Sequence, residues 1–458
     1  MLQLNERPTR FQKVLDYVEA HRDEYIQLLL DLCRQPSLAG TGEGIPEMIQ
    51  LVQDKMRAYG IEPTLIPTDG NPVIYADIKG EGGLTFGCYD HYDVQPVEPL
   101  DQWLSDPFAA EIRDGVIYAR GVADNKDGLA TRLCAIDAWL KTYGKLPCNV
   151  KLIFEGEEEI GSPNLAPFAE AHPDLIQCDG YVWEGGEKEK GGPCEVTMGV
   201  KGLLYVHMKV KTAPRDAHSM YAAIAPNPAW RLVQALASMK DADGHITIDG
   251  FYDDIIPPSE EDLKFLETDP FDPEATREYL GVDALINGKT KEELLKSLYF
   301  QPTCNICGLT SGFQGDGSKT VLPSDASVKI DFRLVPGMDP KKIFHLVRQH
   351  LDKHGFTDVE LIWDSGEPAF RSDLSKPFTK AIIAAMEKLY DRPVALKVSS
   401  GGTSPMHTFC HQTNIPAGMF GASSATANIH APNEHLACDA FIEMIRINCA
   451  VMEELSKY

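Results

Sequence analysis

Residues 84–99 read LTFGCYDHYDVQPVEP, and the interpretation of the whole chain starts from this stretch. An apolar, strand-like run reaches Cys88 and Tyr89, and Asp90, His91 and Asp93 follow within four positions. A strand that ends in a histidine with a carboxylate two residues later raises the question of what that pair binds. The answer comes from the rest of the chain.

The composition limits the possible classes of protein. The chain has 458 residues, too many for one small core, so we expect two domains, one of them interrupted by the other. Lys and Arg number 43 against 68 Asp and Glu, which gives a formal charge of −25. This negative field repels phosphate backbones and anionic lipid surfaces, so neither a nucleic acid nor a membrane is expected as a partner.

The sequence also predicts a cytoplasmic location. No stretch approaches the roughly 18 consecutive apolar residues of a membrane span, and the first 25 residues are charged and helix-patterned, without the apolar core of a signal peptide. Eleven cysteines form no disulfide-scaffold rhythm, which favours reduced thiols. Cys304 and Cys307 form a lone CxxC, and because no second pair is near, we do not expect a structural zinc there.

The first 200 residues alternate between strands and helices. The segment 11–35 is apolar at helical spacing, and so is DNKDGLATRLCAIDAWLKTYG, for which Gly144 is a fitting stop. Strand-like runs lie at 73–78, 84–89, 150–154 and 180–183. This alternation predicts an α/β sheet that is mostly parallel and flanked by helices.

The pattern changes near residue 200. GLLYVHMKVKT and ASVKIDFRLV alternate strictly between apolar and polar residues, which is typical of an antiparallel sheet with one solvent-exposed face. A helix, APNPAWRLVQALASM, lies between them, and an acidic helical insertion covers about 250–300. We therefore predict a smaller α+β domain at 201–375. The helix PFTKAIIAAMEKLY, the buried strand NIPAGMFG and a closing helix then return residues 376–458 to the domain formed by 1–200.

Five segments carry side chains that bind metals, and four of them directly follow strand-like runs. They are CYDHYD (88–93), ARGVADNKD (119–127), IFEGEEEIGS (153–162), DGYVWEGG (179–186) and SATANIHAPNEHL (424–436). Ligands in α/β sheets gather at the carboxyl ends of the strands, so these segments can converge. Imidazoles with carboxylates suit zinc, manganese or cobalt, and the surplus of acids favours two ions with a shared ligand.

As a set, HYDVQP, RGVADNKDG, FEGEEEIGS and IHAPNE resemble the co-catalytic zinc hydrolases, the family of carboxypeptidase G, carnosine dipeptidase, aminoacylase, and the acetylornithine and succinyl-diaminopimelate deacylases. The resemblance covers nearly the whole chain. It implies two Zn²⁺ per subunit, with Mn²⁺ or Co²⁺ as possible substitutes. It also implies that the larger domain is catalytic and that the smaller one is a lid and dimerisation domain.

The resemblance assigns the metal site residue by residue. His91 and Glu184 would bind one ion, Glu159 and His430 the other, and Asp124 would bridge both. Asp93 would hold the His91 ring, because a metal-bound histidine needs a partner that fixes its tautomer. Three consecutive acids leave the register open, and Gly161-Ser162 selects Glu158 as general base and Glu159 as ligand, with Glu157 outside the pattern.

The resemblance also assigns residues outside the metal site. RDAHSMYAAIAPNPAWRL is similar to the dimerisation stretch, where His218 would reach into the partner's site of a homodimer and stabilise the developing oxyanion. Arg333 in DFRLVPG and Thr403 in SSGGTSP match positions that bind the substrate's carboxylate.

Each assignment has a plainer alternative. His91 alone can be a buried core histidine, Asp124 a helix cap, and Arg333 a solvated strand residue. Glu184 competes with Glu187 and Glu189, and His430 with His435, which the pattern places in the closing helix. SSGGTS offers other hydroxyls than Thr403. His207, His407 and His411 are interpreted as structural.

The leading hypothesis is a zinc metallopeptidase that cuts an amide bond next to a free carboxylate, most consistent with a dipeptidase or related exopeptidase. A metal-bridging hydroxide would attack, with Glu158 as general base. The alternative is an N-acyl-amino-acid deacylase of the acetylornithine or succinyl-diaminopimelate type. A non-catalytic binding protein would require a broken ligand set, and all the expected acids are present.

Overall fold

The computed structural model describes residues 9–186, 188, 192, 194–286, 288–411, 413–421, 423–424 and 426–458. The part before residue 201 contains six helices: α1 (Arg10–Ala20), α2 (Arg22–Arg34), α3 (Ile45–Ala58), α4 (Lys126–Tyr143), α5 (Leu165–Ala171) and α6 (Pro173–Ile176). Its strands are β1 (Thr64–Ile66), β2 (Val73–Ile78), β3 (Thr85–His91), β4 (Glu111–Arg113), β5 (Val116–Tyr118), β6 (Asn149–Glu155), β7 (Gly180–Trp183), β8 (Glu195–Thr197) and β9 (Gly199–Val200).

The middle of the chain contains a second set of strands and helices. The strands are β10 (Gly202–Lys211), β11 (Ala217–His218), β12 (Asn305–Ser311), β13 (Val321–Leu322), β14 (Asp325–Leu334), β15 (Glu360–Glu367) and β16 (Phe370–Arg371). The helices are α7 (Pro228–Met239), α8 (Glu260–Phe265), α9 (Pro273–Leu280), α10 (Lys291–Phe300) and α11 (Pro340–Lys353). The last part contains α12 (Pro377–Tyr390), β17 (Ala395–Lys397), α13 (Met406–Cys410), β18 (Ala417–Phe420), β19 (His435–Ala437) and α14 (Cys438–Leu455).

An eight-stranded sheet forms the centre of the larger unit, in the order β1-β2-β6-β3-β7-β18-β8-β17. Its four middle strands, β6, β3, β7 and β18, are all parallel, and antiparallel pairs occur towards both edges. In the register of β3 with β6, His91 lies opposite Glu155, so both strands end at the same level. The strands from before residue 201 and after residue 376 thus share one sheet, and the exact domain boundaries stay a prediction.

Both faces of this sheet are covered, as the almost fully apolar middle strands require. Because successive side chains point to opposite faces, Cys88 packs in one core together with α4 and α14, and Tyr89 packs in another together with Trp183 and Phe409. Helix α4 ends at Gly144, whose φ of 72° is the left-handed conformation that favours glycine, as predicted.

The second sheet is antiparallel throughout, in the order β12-β14-β10-β15. The apolar residues of β10 and β14 lie on one face, which packs on α7 and α11 and forms a separate core. Their polar neighbours lie on the other face, as the alternating sequence predicts. The observed architecture agrees with the predicted fold class.

The predicted helical insertion contains α8, α9 and α10. These helices lie between strands of the second sheet in sequence, but their apolar side chains pack elsewhere. Leu266, Leu295, Tyr299 and Phe300 are buried in the core that α4 and α14 form on the eight-stranded sheet. The insertion is therefore anchored to the unit that carries the five metal-binding segments.

Two local predictions differ from the structure. The helical pattern at 11–35 is divided into α1 and α2 at His21, whose ring stacks on Tyr17 at 3.8 Å and whose Nδ1 lies 2.9 Å from the Tyr17 carbonyl oxygen. His435 lies in β19, not in the closing helix, because residues 435–437 pair with β5 before α14 begins at Cys438.

Among the helices that the structure describes, none combines the length and the apolar character needed to cross a membrane. All eleven cysteines are free thiols; Cys307 is exposed, and Cys304 is half-buried.

Candidate metal centre and active site

Five predicted ligand side chains come together at one edge of the eight-stranded sheet. His91 is the last residue of β3, Glu184 directly follows β7, and Glu159 lies four residues after the end of β6; β6 and β7 are the two strands on either side of β3. Since these strands are parallel, their carboxyl ends meet at the same edge. The other two residues, Asp124 and His430, are supplied by the loops before α4 and β19.

Asp124 lies at the centre of this group. Its Oδ1 is 3.2 Å from His91 Nε2, and its Oδ2 is 3.0 Å from His430 Nε2. Glu184 Oε2 lies 3.3 Å from His91 Nε2, and Glu159 Oε2 lies 3.2 Å from His430 Nε2. The five side chains therefore form two sets, each with one imidazole and one glutamate, that share one aspartate.

This donor set fits divalent metal ions. Ligands at about 2.0–2.1 Å from a tetrahedral zinc stand about 3.3–3.4 Å from each other, close to the distances observed here. The ligand atoms of Asp124, Glu159 and His430 all lie within 4.8 Å of one another. Glu184 Oε2 is buried without a hydrogen-bond partner in the part of the chain that the structure describes, as expected for an atom that binds an ion.

The electrostatics of the cluster also favour cations. Hydrogen bonds to Asp124 and Glu159 raise the pKa of His430 to about 10. Burial opposes the charged form of His91, but the carboxylates of Asp124 and Asp93 still raise its pKa well above the usual value. Burial and the nearby Glu158 carboxylate raise the pKa of Glu184 well above its usual value. Without a metal ion, the protonated forms of His91 and His430 are favoured because they supply the positive charge that the carboxylates need.

Asp93 connects His91 to the turn that carries the glutamates. Its Oδ1 lies 3.4 Å from His91 Nδ1, on the side of the ring away from Asp124. The same carboxylate accepts hydrogen bonds from the backbone N–H groups of Glu158 at 3.3 Å and Glu159 at 3.1 Å. His91 Nδ1 also lies 3.0 Å from the backbone carbonyl oxygen of Asp93, so this one buried residue orients both the imidazole and the turn.

The three consecutive glutamates have different surroundings. Glu157 points away from the cluster and accepts hydrogen bonds from the Asn71 backbone N–H at 3.2 Å and from Asn164 Nδ2 at 2.7 Å. Glu159 accepts a hydrogen bond from Gln95 Nε2 at 2.9 Å in addition to its contact with His430. Burial, reinforced by the charges of Asp124 and Glu159, raises the pKa of Glu158 to about 7. Glu158 is the member of the run that suits proton transfer near neutral pH.

Glu434 was not predicted as part of the site, although it lies in the quoted IHAPNE motif. It is 1% exposed, and its Oε1 accepts hydrogen bonds from the backbone N–H groups of Ala123 at 2.9 Å and Asp124 at 3.2 Å. Its Oε2 accepts from the Gly121 N–H at 2.9 Å and from Arg120 Nη1 at 2.7 Å. Glu434 thus holds the Asp124 loop against the loop of His430.

The predicted substrate-binding residues contact each other. Arg333 Nη1 donates a hydrogen bond to Thr403 Oγ1 at 2.8 Å, which connects β14 of the second sheet to the SSGGTS loop. The same loop supports a metal-site residue, because Ser404 Oγ donates to Glu184 Oε1 at 3.2 Å.

His218 is not brought to the cluster within this chain. It is exposed on the short β11 strand, where its Nδ1 accepts from the Met220 N–H at 3.1 Å and its Nε2 lies 3.4 Å from Thr320 Oγ1. Among the residues that the structure describes, His218 forms no hydrogen bond with the five clustered side chains.

The competing residues lie elsewhere or outside the described part of the chain. His435 packs beside Tyr118, with ring centroids 5.4 Å apart. His407 stacks on His411 at 4.2 Å, and His207 lies 3.6 Å from Asp364. Glu187 and Glu189 are outside the described residues.

A cavity of about 660 Å³ opens beside the cluster. Asp124, Gly185 and Ile429 line one side of it, next to the metal-binding residues. Ser400 and Gly401 line a second side, and helices α9 and α10 form the opposite wall. The cavity therefore reaches Asp124 of the cluster and the start of the loop that contains Thr403.

The fold and this cluster define a metal-dependent hydrolase. The family model for "Peptidase family M20/M25/M40" matches residues 87–454, so the chain belongs to this family. The predicted family is confirmed.

Individual relatives agree with this membership. The chain is 28% identical to the Beta-Ala-His dipeptidase of Rattus norvegicus, over 97% of this chain and 96% of that protein. It is 30% identical to the Cys-Gly metallodipeptidase DUG1 of Saccharomyces cerevisiae, over 88% of this chain and 86% of that protein. The crystal structure of an M20 family metallo-carboxypeptidase from Sulfolobus solfataricus superposes with a TM-score of 0.87 at 35% identity, and the match covers 95% of this chain and 100% of that one.

These comparisons confirm the predicted fold class and the predicted enzyme class. The chain is a metallopeptidase of the dipeptidase type, and the deacylase alternative is not favoured.

Metal binding should release protons, because both imidazoles must be neutral to act as ligands. The carboxylates around His91 and His430 raise the pKa of both rings, which favours their protonated form in the metal-free protein. We expect the apparent zinc affinity to rise by about tenfold per pH unit for each released proton between pH 6 and 8. Calorimetry in buffers of different ionisation enthalpy measures the proton count, and an affinity that does not change with pH would contradict this expectation.

Replacing Glu434 should weaken metal binding without removing a ligand. In Glu434→Ala the Asp124 backbone N–H and its neighbours lose their acceptor, so we expect the metal affinity to fall by about 10–100-fold. Glu360→Ala, at an exposed position of β15, is the control. Competition with a chromophoric chelator measures both variants, and equal affinities would show that Glu434 does not support the Asp124 loop.

Proposed function

We propose that this protein is a cytoplasmic, homodimeric dipeptidase that uses two divalent ions, zinc in the first place, to hydrolyse a peptide bond next to a free carboxylate. The observation that carries the proposal is the arrangement of His91 with Glu184 and of His430 with Glu159 around one shared aspartate. The dipeptidase names of the relatives supply the substrate class. Eleven free thiols support a reducing compartment.

In this proposal, His91, Glu184 and Asp124 hold one ion, and Asp124, Glu159 and His430 hold the other. When bound, such a pair of ions lowers the pKa of a water and polarises the scissile carbonyl. The tasks of the chain itself are to place the substrate, to move one proton and to stabilise the charge that develops on the carbonyl oxygen.

Glu158 is proposed to take the proton of the attacking water and to deliver it to the departing amine. Burial and the charges of Asp124 and Glu159 raise its pKa to about 7, although the charge of His91 opposes the shift, and this pKa suits both directions of transfer. Asp93 keeps His91 and the Glu158 turn in place through the contacts described above.

Arg333 and Thr403 are proposed to bind the substrate's carboxylate together. Their hydrogen bond of 2.8 Å supports this proposal, because it places the two groups close enough for one carboxylate to contact both. The guanidinium fork is suited to a planar carboxylate, which restricts the enzyme to peptides with a free carboxyl end.

His218 is proposed to complete the site of the partner subunit. Large apolar side chains are exposed close to it in sequence: Met220 is 69%, Ile224 83% and Trp230 67% exposed. A patch of this kind on a monomer marks an interaction surface. If these apolar side chains are buried between two copies of the chain, each His218 lies at the edge of its own subunit. It can then reach the active site of the partner subunit.

A matched pair of variants tests the general base. Glu158→Gln should retain its metal but lose turnover of dipeptides by about 10²–10⁴-fold, because no other group replaces its proton transfer. Glu157→Gln is the control, because the carboxylate of Glu157 contacts Asn71 and Asn164 instead of the cluster. We expect this control to keep most of its activity.

The same assay tests the function. Wild-type protein with Zn²⁺, Mn²⁺ or Co²⁺ is supplied with a panel of dipeptides and with N-acetyl and N-succinyl amino acids. Hydrolysis of the acyl substrates alone would reject the dipeptidase, and unchanged turnover in Glu158→Gln would remove Glu158 from its role.

Subunit mixing tests His218. His218→Ala and Glu158→Gln are each expected to be nearly inactive as homodimers. If His218 acts across the dimer, equal mixing should restore about a quarter of the wild-type activity, since half of the dimers are mixed and each has one intact site. No recovery, after exchange of subunits is verified with differently tagged chains, would place His218 in its own subunit's site or outside catalysis.

A further inference from the structure

We propose that helices α9 and α10 form the pocket for the side chain of the substrate's carboxyl-terminal residue, and that Tyr279 and Leu298 select an apolar or aromatic side chain there. This inference rests on the proposed function and specifies its substrate. It is carried by the cavity of about 660 Å³ next to the metal-site residues.

The position of the cavity identifies which part of a dipeptide enters it. The scissile bond must lie at the metal cluster, where Asp124 and Ile429 line the cavity. The free carboxylate is bound at Thr403, two residues after Gly401, which lines another side of the same cavity. The stretch of a dipeptide between its scissile bond and its free carboxylate is the carboxyl-terminal residue. Its side chain therefore faces the remaining wall, which α9 and α10 provide.

Three large apolar side chains are exposed at the cavity. Tyr279 is 88%, Leu298 40% and Ile429 42% exposed, and all three line this one cavity. Such large apolar side chains gain free energy when a ligand covers them.

The charged groups of the wall already have partners. Lys397 forms an ion pair with Glu195. The Asp272 carboxylate caps α9 by accepting hydrogen bonds from the backbone N–H groups of Glu274 at 2.9 Å and Ala275 at 3.1 Å. Because these charges are already paired, the wall favours a substrate side chain that makes apolar contacts over one that is charged.

The wall is held in place on the metal-binding unit. Tyr299 of α10 is 3% exposed and donates a hydrogen bond from its hydroxyl group to Asp269 Oδ2 at 2.7 Å. Leu295 and Phe300 are buried in the same core as α4, whose preceding loop carries Asp124. Leu298, which lies on the same helix α10, therefore keeps a fixed position relative to the scissile bond, as a specificity pocket requires.

The test measures kcat/KM of the metal-loaded full-length protein for Ala-Gly, Ala-Leu, Ala-Phe and Phe-Gly. In Tyr279→Ala and Leu298→Ala, we expect the values for Ala-Leu and Ala-Phe to fall by about tenfold, and those for Ala-Gly and Phe-Gly to stay within about twofold. Tyr279→Phe should keep the preference. Leu280→Ala is the matched control, because Leu280 is 56% exposed on the same helix and does not line the cavity.

Two outcomes would overturn the inference. An equal loss of kcat/KM for all four dipeptides would show that α9 and α10 do not discriminate between side chains. A loss of kcat/KM that is largest for Phe-Gly would show that the cavity binds the amino-terminal residue of the substrate instead. A second measurement compares inhibition by free phenylalanine with inhibition by free glycine. Inhibition by phenylalanine should weaken in Tyr279→Ala and Leu298→Ala. Hydrolysis of Ala-Gly by the wild-type protein supports the proposed function whichever of these results is obtained.

Discussion

The site depends on one carboxylate that lies between two imidazoles. Asp124 contacts His91 through one oxygen and His430 through the other, although these histidines are more than three hundred positions apart in the chain. Three carboxylates packed at this edge repel one another unless positive charge lies between them. Protons on the imidazoles can supply that charge, and so can two divalent ions, which makes metal binding and the order of the surrounding loops interdependent.

The sequence was sufficient to predict the clustered side chains because His91, Glu159 and Glu184 lie at or soon after the ends of buried strands, and Asp124 and His430 lie in motifs that resemble those of a known family. The buried strands end in His91, Glu155 and Trp183, and the parallel register of β3 with β6 and β7 brings those ends to one level. The Gly161-Ser162 signal selected the register of the glutamates, and the structure places Glu159 beside His430 and Glu157 away from it. The catalytic and ligand roles of these residues stay predictions, because a contact alone does not establish a role.

Other features could not be read from the chain. Glu434 was missed because most of its partners are backbone N–H groups of a distant loop, which leave no side-chain pattern in the sequence, and its side-chain partner Arg120 lies 314 positions away. His435 was wrongly placed in the closing helix because the apolar periodicity continues across 435–437, where pairing with β5 prevails over helix formation. The amphipathic pattern of α10 predicted a helix, but it could not identify which of two cores would bury Leu295 and Tyr299.

In the proposed function, the residues that bind the substrate's carboxylate and the wall that contacts its side chain are attached to different parts of the fold. Arg333 belongs to the second sheet, whereas Thr403 follows β17 of the eight-stranded sheet and helix α10 packs in the core of the unit that holds the five clustered side chains. A carboxylate that binds Arg333 and Thr403 at once therefore connects the two sheets, and its binding energy is available to hold them in one relative orientation. The pocket for a side chain needs no such connection, because its wall and the metal site share a core. In such an arrangement, the free carboxylate decides whether the site is complete, and the side chain decides which dipeptide fits.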